Sequence, residues 1–499
     1  MSIFSYKFSG EVWQGETAFN TGLFIDGEFC YGANGATMDV LNPTTGKLIT
    51  KIAQGTASDV DVAVKAARKA FETTWGLNAS GSERAALLRK LAELMDLHKE
   101  ELAAIEALDN GKTFDCALSI DVTVASETIK YYSGWADKIT GQTLETNENK
   151  FCYTRHEPIG VVGQIIPWNF PLLMMTWKIA PALATGNCVI LKPSEFTPLT
   201  ALRMASLIEE AGFPAGVVNI IVGHGDIVGS AISGHMGIDK VAFTGSTAVG
   251  RKIMDAAAKS NIKGVTLELG GKSPTIVFDD ADLEQAVGFA AYGIFFNNGQ
   301  ACAAGSRIFV QEGIYDEFLE RFTARTKSTV IGDPFTKGVA QGPLVSKPHF
   351  DRVMGYINSG IEQGATVHYS GEEKKSDGYF IQPTIFTDTT PDMKIVQEEI
   401  FGPVVVIIKF KDEDDVVRQA NETVYGLAAV VFSQNITRAL ETTHRLKAGT
   451  VWVNCANQLH VNVPFGGYKQ SGIGRELGEY ALHNYTNVKS VQVNFRYKP

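Results

Sequence analysis

The sequence predicts an α/β protein built on parallel sheets. Short runs rich in β-branched residues alternate with amphipathic helical stretches, which is typical of βα units. Glycine, serine, proline and asparagine cluster directly after several of these runs, as in PWNFP, KPSE, VGHGD, TGSTAVG and LGGKSP. The 499 residues are too many for one ordinary core, so two or three domains are expected.

Seven short apolar runs are the predicted strands. They are Ile159–Ile166, Val189–Leu191, Val217–Val222, Val241–Thr244, Thr275–Phe278, Val404–Phe410 and Thr450–Asn454. Two predicted helices are Ser58–Thr73, with Ser58 as its N-cap, and Gly81–Glu106. Ligands of open α/β sheets bind at the carboxyl ends of strands, so we expect the chemistry in the loops that follow these runs.

Composition argues against several classes of function. The formal net charge of −10 disfavours a nucleic-acid-binding surface and a basic membrane-binding surface. The 6 cysteines are scattered without CxxC spacing, which indicates neither a zinc site nor a disulfide framework and fits a reducing compartment. No signal or transit peptide and no membrane-spanning apolar run is found. We therefore expect a cytoplasmic protein with no metal site and no nucleic-acid or membrane partner.

The stretch NNGQACAAGSR places Cys302 among small and flexible neighbours. A lone cysteine is most often a small buried apolar residue. Here the surrounding glycines and alanines leave room for a ligand, and asparagine and glutamine are typical of loops. A reactive thiol needs access and a stabilised thiolate, and a helix beginning near Cys302 would supply backbone N–H groups for the thiolate and for an oxyanion.

Three other motifs each allow two interpretations. Glu268 ends the apolar run of VTLELGGK and, taken alone, is better explained as a surface charge than as a carboxylate in a cleft. Asn169 lies between two prolines in PWNFP, which taken alone favours a turn. GSTAVGRK resembles a P-loop, but Arg251 stands where lysine is required, which argues against nucleotide triphosphate hydrolysis. As a strand–turn–helix, Gly245 and Ser246 would instead present backbone N–H groups to a pyrophosphate.

The segments LELGGKSP and FNNGQACAAGSR together resemble the paired signature of the aldehyde dehydrogenase superfamily. IIPWNFP, LKPSE, FTGSTAVG, EEIFGPV and PFGGYKQSGIGRE resemble further motifs of that family and occur in its order. The similarity extends from about Phe24 to Val493 and looks most like the NAD-dependent, broad-substrate branch of acetaldehyde and retinal enzymes.

This resemblance implies an aldehyde dehydrogenase-like fold of three parts. They are a Rossmann-type NAD-binding domain at 1–134 and 159–269, an α/β catalytic domain at 270–475, and a β-strand oligomerisation arm at 135–158 and 476–499.

The resemblance also implies catalytic roles. Cys302 would be the nucleophile that attacks an aldehyde, and the Asn169 side-chain amide with the Cys302 backbone N–H would bind the oxyanion. Glu268 would be the general base that hydrolyses the resulting thioester, so the product would be a free carboxylate. The sequence leaves open whether Glu476 and Lys178 relay protons toward Glu268, as the family suggests.

The cofactor implied by the resemblance is NAD. Lys192 and Glu195 would bind the adenosine ribose hydroxyls, and the carboxylate would repel a 2′-phosphate, so NAD is expected over NADP. His349 stands where the family commonly has glutamine, near the nicotinamide-side ribose, which would add a dependence on pH. The other expected cofactor-binding residues are Ile165, Ile166, Pro167, Trp168, Ser194, Gly225, Gly229, Phe243, Thr244, Gly245, Ser246, Val249, Leu269, Gly270, Glu399 and Phe401.

A stripe of apolar residues at helical spacing follows Asn169. By itself such a stripe is more often core, but the resemblance makes it the wall of an aldehyde tunnel. The expected tunnel residues are Phe170, Leu173, Met174, Trp177, Phe296, Ala301, Ala303, Asn457, Leu459 and Phe465. None is a cation, so an uncharged aliphatic or arylacetaldehyde is expected rather than a dicarboxylic semialdehyde. Acetaldehyde, retinal-like aldehydes and indole- or phenylacetaldehyde all remain open.

The segment Ser490–Phe495 alternates like an edge strand, and the resemblance implies that it pairs with another subunit in a homotetramer, a dimer of dimers.

Three alternative functions are weaker. Glu268 disfavours a coenzyme A-acylating dehydrogenase, and the presence of both Cys302 and Glu268 disfavours a non-catalytic structural role. A cysteine hydrolase would explain Cys302 but leaves the strand-end nucleotide loops without a purpose.

Overall fold

Two large sheets and a smaller three-stranded sheet organise the chain, which the computed structural model describes at residues 3–372 and 376–496. The strands within these residues, numbered in chain order, are β1 Ile3–Ser9, β2 Gln14–Asn20, β3 Leu23–Ile25, β4 Glu28–Cys30, β5 Thr37–Leu41, β6 Leu48–Ala53, β7 Thr143–Asn147, β8 Lys150–Pro158, β9 Val161–Ile165, β10 Cys188–Lys192, β11 Val218–Ile220, β12 Lys240–Thr244, β13 Gly264–Glu268, β14 Pro274–Val277, β15 Arg307–Gln311, β16 Thr366–Ser370, β17 Thr384–Thr387, β18 Val404–Phe410, β19 Ala428–Phe432, β20 Thr450–Val453, β21 Gly472–Ile473 and β22 Thr486–Asn494.

Helices cover both large sheets. The α-helices of the described residues are α1 Ala57–Thr73, α2 Gly81–Leu97, α3 Lys99–Asn110, α4 Phe114–Cys116, α5 Thr123–Ser133, α6 Pro171–Ala184, α7 Leu199–Ala211, α8 Ser230–Gly234, α9 Thr247–Lys259, α10 Leu283–Phe295, α11 Tyr315–Lys327, α12 Lys347–Glu362, α13 Lys394–Gln397, α14 Glu413–Asn421, α15 Ile436–Arg445 and α16 Tyr480–His483. Short π-helical or 3₁₀ segments are Ala117–Val122, Gly225–Gly229, Phe296–Gly299, Glu312–Ile314 and Lys469–Ser471. No helix in the described ranges combines the length and apolar character needed to cross a bilayer.

The first large sheet has eight strands in the order β21-β13-β12-β9-β10-β11-β3-β4. The five strands from β13 to β11 run parallel, and β21 and β3 pair antiparallel at either side. In this register Ile165 pairs with Lys192 and with Phe243, and Thr244 pairs with Glu268. The carboxyl ends of four strands therefore lie side by side, as the predicted Rossmann-type sheet requires.

The second large sheet has seven strands in the order β16-β17-β18-β15-β14-β19-β20, all parallel except for β16. The chain passes from the first sheet to the second between Glu268 and Pro274. At this crossing Gly271 lies against the loop of Cys302, because a Cβ on Gly271 would be 2.4 Å from the Cys302 carbonyl oxygen. Close backbone contact therefore joins the two sheets beside the predicted nucleophile.

A third sheet joins a central segment of the chain to its C-terminal segment. Strand β8 pairs antiparallel with β22 along its whole length and with β7 on its other side. Both outer strands have an unpaired edge within the described residues of the protomer. Val488, Val493 and Phe495 are exposed on or beside β22.

The predicted α/β class and all seven predicted strands are confirmed, but two helix predictions are wrong in detail. The N-cap of α1 is Thr56 rather than Ser58, because the Asp59 carboxylate accepts hydrogen bonds from the Thr56 backbone N–H and hydroxyl, each at 2.7 Å. The single helix predicted at Gly81–Glu106 divides at His98, where φ is −102° and ψ is 18°.

The C-terminal strand β22 begins at Thr486, before the predicted start at Ser490. It ends at Asn494, one residue before the predicted end at Phe495. It begins earlier because its first residue already pairs with Pro158 of β8. The expected domain ranges include residues 1–2, 373–375 and 497–499, which lie outside the described residues.

Candidate active site

A cavity of about 540 Å³ lies between the strand ends of the first sheet and the loop before β15. Asn169, Glu268 and Cys302 are all part of its wall. Asn169 immediately precedes α6, Glu268 is the last residue of β13, and Cys302 follows the short helical segment that ends at Gly299. The fold thus brings together the three residues that the sequence proposes for catalysis.

Cys302 lies in a turn and not at the start of a helix, so a helix N-terminus does not supply the N–H groups beside it. The turn is closed by a hydrogen bond of 3.0 Å from the Ala304 N–H to the Ala301 carbonyl. Before it, Asn297 and Asn298 have φ values of 49° and 60°, in the left-handed region that asparagine tolerates. These two residues reverse the chain after α10, and this reversal carries the thiol to the cavity wall.

The thiol of Cys302 is held in its neutral form. Burial raises the pKa of this thiol to about 12, and the carboxyl groups of Glu399 and Glu268 add to the rise. The backbone N–H groups of Ala303 and Cys302 act in the opposite direction, since they would bind a thiolate. Attack on an electrophile therefore needs a neighbouring base that takes the thiol proton.

Glu268 is a buried carboxyl group in the cavity wall. Burial raises its pKa well above the ordinary value, with Glu476 adding to the rise and Lys178 opposing it. Its Oε2 atom makes no hydrogen bond to any residue that the structure describes. A buried carboxyl group whose raised pKa makes it a stronger proton acceptor is suited to general-base catalysis.

Lys178 and Glu476 form a buried ion pair near Glu268. The Lys178 Nζ lies 2.5 Å from the Glu476 Oε1, and both side chains are almost fully buried. Both charges act on the pKa of Glu268, although neither residue lines the cavity. The pair expected for a proton relay is therefore assembled, and its role in proton transfer stays a prediction.

The backbone and side chain of Asn169 are both held in place. Its side-chain Nδ2 donates to the Gln300 carbonyl at 2.9 Å, which leaves the second N–H of the amide for the cavity. Its backbone carbonyl accepts hydrogen bonds from the Lys112 Nζ and the Asn297 Nδ2, each at 2.9 Å. Lys112 is fully buried and forms an ion pair with Asp121.

Sequence reasoning missed Lys112 and Asp121. Lys112 also lies over the ring of Phe170, 4.3 Å from its centroid, so it contacts the two residues that begin the tunnel segment. Nothing in the sequence distinguishes this pair from surface charges, because the partners that bury it come from distant segments.

One end of the cavity is formed by residues that were predicted to bind the cofactor. Those in its wall are Pro167, Trp168, Thr244, Gly245, Ser246, Leu269, Gly270, His349, Glu399 and Phe401. Ser246 is the N-cap of α9, with its hydroxyl accepting from the Val249 N–H at 3.4 Å, so the predicted strand–turn–helix is confirmed. Helix α9 therefore directs its N-terminal N–H groups toward this end of the cavity.

The remaining predicted cofactor residues lie outside the cavity wall. Lys192 and Glu195 form an ion pair of 3.1 Å after β10, and Glu195 precedes the first turn of α7 rather than lying in it. A Cβ on Gly229 would lie 3.9 Å from the Lys192 side chain and 4.0 Å from that of Ile165, so these residues are neighbours. The residues outside the cavity wall are Ile165, Ile166, Lys192, Ser194, Glu195, Gly225, Gly229, Phe243 and Val249.

His349 is neutral at physiological pH, which corrects the expected dependence on pH. Burial lowers the pKa of its ring to about 4. The Nε2 atom lies 2.7 Å from the Phe401 carbonyl, and since a carbonyl only accepts, Nε2 carries the proton and Nδ1 is an acceptor. The ring packs against Trp168 with 4.8 Å between centroids.

The other end of the cavity is an apolar tunnel, and all ten predicted tunnel residues line it. Phe170 stacks on Phe296 at 5.7 Å, and Trp177 meets Phe465 edge-on at 5.6 Å. Lining residues that the sequence analysis missed are Ile120, Val124, Phe196, Tyr292, Ser346, Pro348, Arg352, Trp452 and Gln458. Helical spacing from His349 would have indicated Arg352, whereas Ile120 and Val124 lie far from every motif. Across the described residues, no group of three or more potential metal ligands occurs.

Comparison with known proteins identifies the family. The model of the aldehyde dehydrogenase family matches residues 30–491. The chain is 66% identical to an aldehyde dehydrogenase of Agaricus bisporus over 497 residues, which cover 100% of this chain and 99% of that one. The chain belongs to the aldehyde dehydrogenase family.

Other relatives are more distant but cover nearly the same length. Aldehyde dehydrogenase 1A1 of Gallus gallus is 53% identical over 96% of this chain and 94% of its own. The structure of an aldehyde dehydrogenase from Bacillus cereus in complex with NAD⁺ superposes with a TM-score of 0.94 at 51% identity, covering 96% of this chain and 97% of that one. The aldehyde dehydrogenase fold inferred from the sequence is thereby confirmed.

We expect the Lys112–Asp121 pair to contribute separately to stability and to turnover. Lys112→Met should lower the free energy of unfolding by about 3–5 kcal/mol, since it leaves a buried carboxylate unpaired. Lys112→Met combined with Asp121→Leu should recover most of that loss in denaturant unfolding. Turnover of the double variant should stay about tenfold low, because the Asn169 carbonyl has lost a donor near the reacting atoms. Lys130→Met, which breaks an exposed pair with Asp96, is the control. Full recovery of turnover in the double variant would contradict the positioning role.

We expect His349 to contribute no ionisation to the pH profile between about pH 6 and 8. The ring becomes charged only on acidification toward its lowered pKa of about 4, so it is neutral throughout that range. Profiles of kcat/KM for the cofactor in the wild type and in His349→Gln should therefore run parallel. An inflection near pH 6.5 in the wild type that is absent from the variant would refute the neutral assignment.

Proposed function

We propose that this aldehyde dehydrogenase oxidises an uncharged aldehyde to a carboxylic acid with NAD⁺. The observation that carries the proposal is that Asn169, Glu268 and Cys302 meet in one cavity, between strand-end loops and an apolar tunnel. Strand-end loops of parallel sheets are where dinucleotides bind, and the related Bacillus cereus enzyme is a complex with NAD⁺.

The residues at the strand ends fit NAD⁺. Burial raises the pKa of Glu195, but Lys192 and hydrogen bonds outweigh it, so this pKa lies below its ordinary value and the side chain is a carboxylate. A carboxylate accepts hydrogen bonds from ribose hydroxyls and repels a 2′-phosphate. The N-terminus of α9, with Gly245 and Ser246, supplies N–H groups for a pyrophosphate. Bound NAD⁺ supplies the acceptor for the hydride that the aldehyde carbon loses.

The nicotinamide end is assigned to residues beside Cys302. Glu399 and Phe401 lie in the cavity wall, and the Nδ1 of His349 is an acceptor next to them. The carboxyl of Glu399 is positioned by a hydrogen bond of 3.1 Å from the Gly271 N–H. We assign these three side chains to the nicotinamide ring and its ribose.

Cys302 carries the first chemical step. Its thiol passes a proton to Glu268, and the thiolate adds to the aldehyde carbon to give a thiohemiacetal oxyanion. The free N–H of the Asn169 amide and the Cys302 backbone N–H donate to that oxyanion, and each such donor is commonly worth about 3–4 kcal/mol. The oxyanion then re-forms a carbonyl as the hydride departs, which leaves a thioester on Cys302.

Glu268 carries the second chemical step. Once it has released the first proton, it takes another from a water molecule, and the hydroxide attacks the thioester carbonyl. The C–S bond breaks, the Cys302 sulfur takes the proton of the carboxylic acid, and the product leaves as its carboxylate while the neutral thiol returns. We assign the buried Lys178–Glu476 pair to the transfer of the proton away from Glu268.

The substrate class follows from the tunnel wall. The predicted tunnel residues are aromatic or aliphatic apart from Asn457, and the one cation of the described cavity wall, Arg352, lies at the cofactor end, where it donates to the Glu399 carbonyl. A charged tail such as a carboxylate would lose its hydration there without a partner, whereas an aliphatic or aryl tail gains by burial. We therefore propose small aliphatic aldehydes and arylacetaldehydes as substrates.

Assembly and location are part of the proposal. We assign residues up to 134 with 159–269 to an NAD-binding domain, 270–475 to a catalytic domain, and 135–158 with the C-terminal segment to an oligomerisation arm. The unpaired edge of β22 and its exposed apolar side chains support pairing with another subunit. All 6 cysteines are free, which supports a reducing compartment such as the cytoplasm.

We expect Glu268→Gln to separate the two chemical steps. The variant should give a burst of NADH approaching one equivalent per active site, followed by steady-state turnover reduced by about 10²–10⁴. The rise of wild-type kcat with pH should be lost, because the base acts only when ionised and its pKa is raised. Glu284→Gln, at an exposed carboxylate, is the control. Steady-state turnover equal to that of the wild type would exclude Glu268 as the base.

We expect a panel of aldehydes to define the tunnel. Hexanal, phenylacetaldehyde and indole-3-acetaldehyde should be oxidised with a higher kcat/KM than succinic semialdehyde, whose carboxylate finds no cation among the tunnel residues.

NAD⁺ should be preferred over NADP⁺, and Glu195→Gln should raise the NADP⁺/NAD⁺ ratio of kcat/KM about tenfold by removing the repelling charge. Glu209→Gln on the exposed end of α7 is the control. Formation of no NADH with any aldehyde would overturn the proposed function.

We expect light scattering to give a mass four times that of the chain. Val488→Asp combined with Val493→Asp should lower this mass, because charged side chains on an edge strand oppose pairing. Leu97→Asp, at an exposed apolar residue far from β22, should leave the mass unchanged. A monomer at micromolar concentration would refute the tetramer.

A further inference from the structure

Asn110, the last residue of α3, is a fully buried amide beside the segment that carries Asn169. Its Nδ2 donates to the Trp168 carbonyl at 2.7 Å, and its Oδ1 accepts from the Lys112 backbone N–H at 3.2 Å. A carbonyl only accepts and a backbone N–H only donates, so these two bonds assign the orientation of the amide. Asn110 does not line the active-site cavity, so any effect that it has on catalysis passes through the residues that it holds.

The peptide groups on both sides of Asn169 are held by donors from one short segment. Asn110 donates to the carbonyl of the peptide group before Asn169, and the Lys112 Nζ donates at 2.9 Å to the carbonyl of the peptide group after it. The orientations of these two planar groups set φ and ψ of Asn169. They therefore fix the direction in which its side chain leaves the backbone, and the bond from its Nδ2 to the Gln300 carbonyl fixes the amide itself.

The segment that supplies these donors is itself held in place. Gly111 ends α3 in the left-handed region, with a φ of 89°. A Cβ on Gly342 would lie 1.9 Å from the Gly111 carbonyl oxygen, so the two backbones are in close contact. One turn earlier on α3, the Glu106 carboxyl accepts from the Leu172 N–H at 3.2 Å, near the start of α6. The end of α3 is thus packed between a loop of the second sheet and the segment that begins α6.

We propose that Asn110 is a positioning residue for the oxyanion and acts through the Asn169 amide. This inference rests on the function proposed above, in which the free N–H of that amide donates to the thiohemiacetal oxyanion. Without the Asn110 donor, the peptide group before Asn169 loses a restraint on its rotation, and the amide moves away from the point where negative charge develops. A displacement of about 1 Å at a reacting group costs up to about 10²-fold in rate.

The cofactor end should be affected much less than the oxyanion. The Trp168 ring packs against His349 and Phe401, with ring centroids 4.8 and 5.2 Å away. These contacts hold the ring independently of the Trp168 carbonyl. Loss of the Asn110 donor should therefore lower kcat and leave the Kd for NAD⁺ unchanged.

The first test compares Asn110→Ala with Asn219→Ala. Asn219 is also a fully buried amide, but its Nδ2 donates to the Val189 and Gly216 carbonyls and it lies in β11, outside the cavity wall. Both variants should unfold at a lower denaturant concentration than the wild type. Only Asn110→Ala should lower kcat for phenylacetaldehyde at saturating NAD⁺, by about tenfold, with the Kd for NAD⁺ unchanged in calorimetry. Asn110→Val should behave in the same way and serves if the alanine variant does not fold.

The second test is a double-mutant cycle with Asn169→Ala. Loss of an oxyanion donor should lower kcat by about 10²–10³ in this variant. Addition of Asn110→Ala should cause no further loss, because the group through which Asn110 acts is already absent. An additive loss, a wild-type kcat in the Asn110 variants, or an equal loss in Asn219→Ala would overturn the proposal. A wild-type kcat in Asn169→Ala alone would instead refute the oxyanion role of Asn169, on which the inference rests.

Discussion

The site depends on close packing at Gly270 and Gly271, where the chain crosses from one large sheet to the other. A Cβ on Gly270 would lie 2.2 Å from the Glu399 carboxyl, and one on Gly271 would lie 2.4 Å from the Cys302 carbonyl oxygen. The backbone contact at Gly271 excludes a side chain there, and a side chain at Gly270 would displace the Glu399 carboxyl. These two glycines therefore let Glu268, which ends the strand before them, share one cavity with the thiol and with Glu399.

Burial dominates the electrostatics of this cavity. It raises the pKa of Glu399 to about 7 and that of the Cys302 thiol to about 12, and it also raises the pKa of Glu268. Acidic groups that lie close together in a poorly hydrated space stay protonated more readily. A proton that leaves one of them must therefore be accepted by another group nearby. The buried Lys178–Glu476 pair acts on the pKa of Glu268, and it is the pair to which we assign the transfer of its proton.

A second layer of polar contacts supports the reacting groups from behind. The Asn169 carbonyl accepts hydrogen bonds from Lys112, in the connection between α3 and α4, and from Asn297, in the segment after α10. Two segments that lie far apart in the chain therefore hold the same oxygen atom. The Lys112 charge is balanced by Asp121 and not by any group of the active-site cavity. This arrangement keeps the charge that holds the Asn169 backbone apart from the charged groups that line the active-site cavity.

The sequence by itself determined the α/β class and seven strands of the two large sheets, because strand periodicity is a local property, and the resemblance of its motifs to the family indicated Cys302, Glu268 and Asn169. Only the tertiary structure decided that Cys302 lies in a turn, that His349 is neutral, and that Lys112 supports Asn169. These features depend on burial and on contacts between residues far apart in the chain, and neither is encoded in the spacing of neighbouring residues.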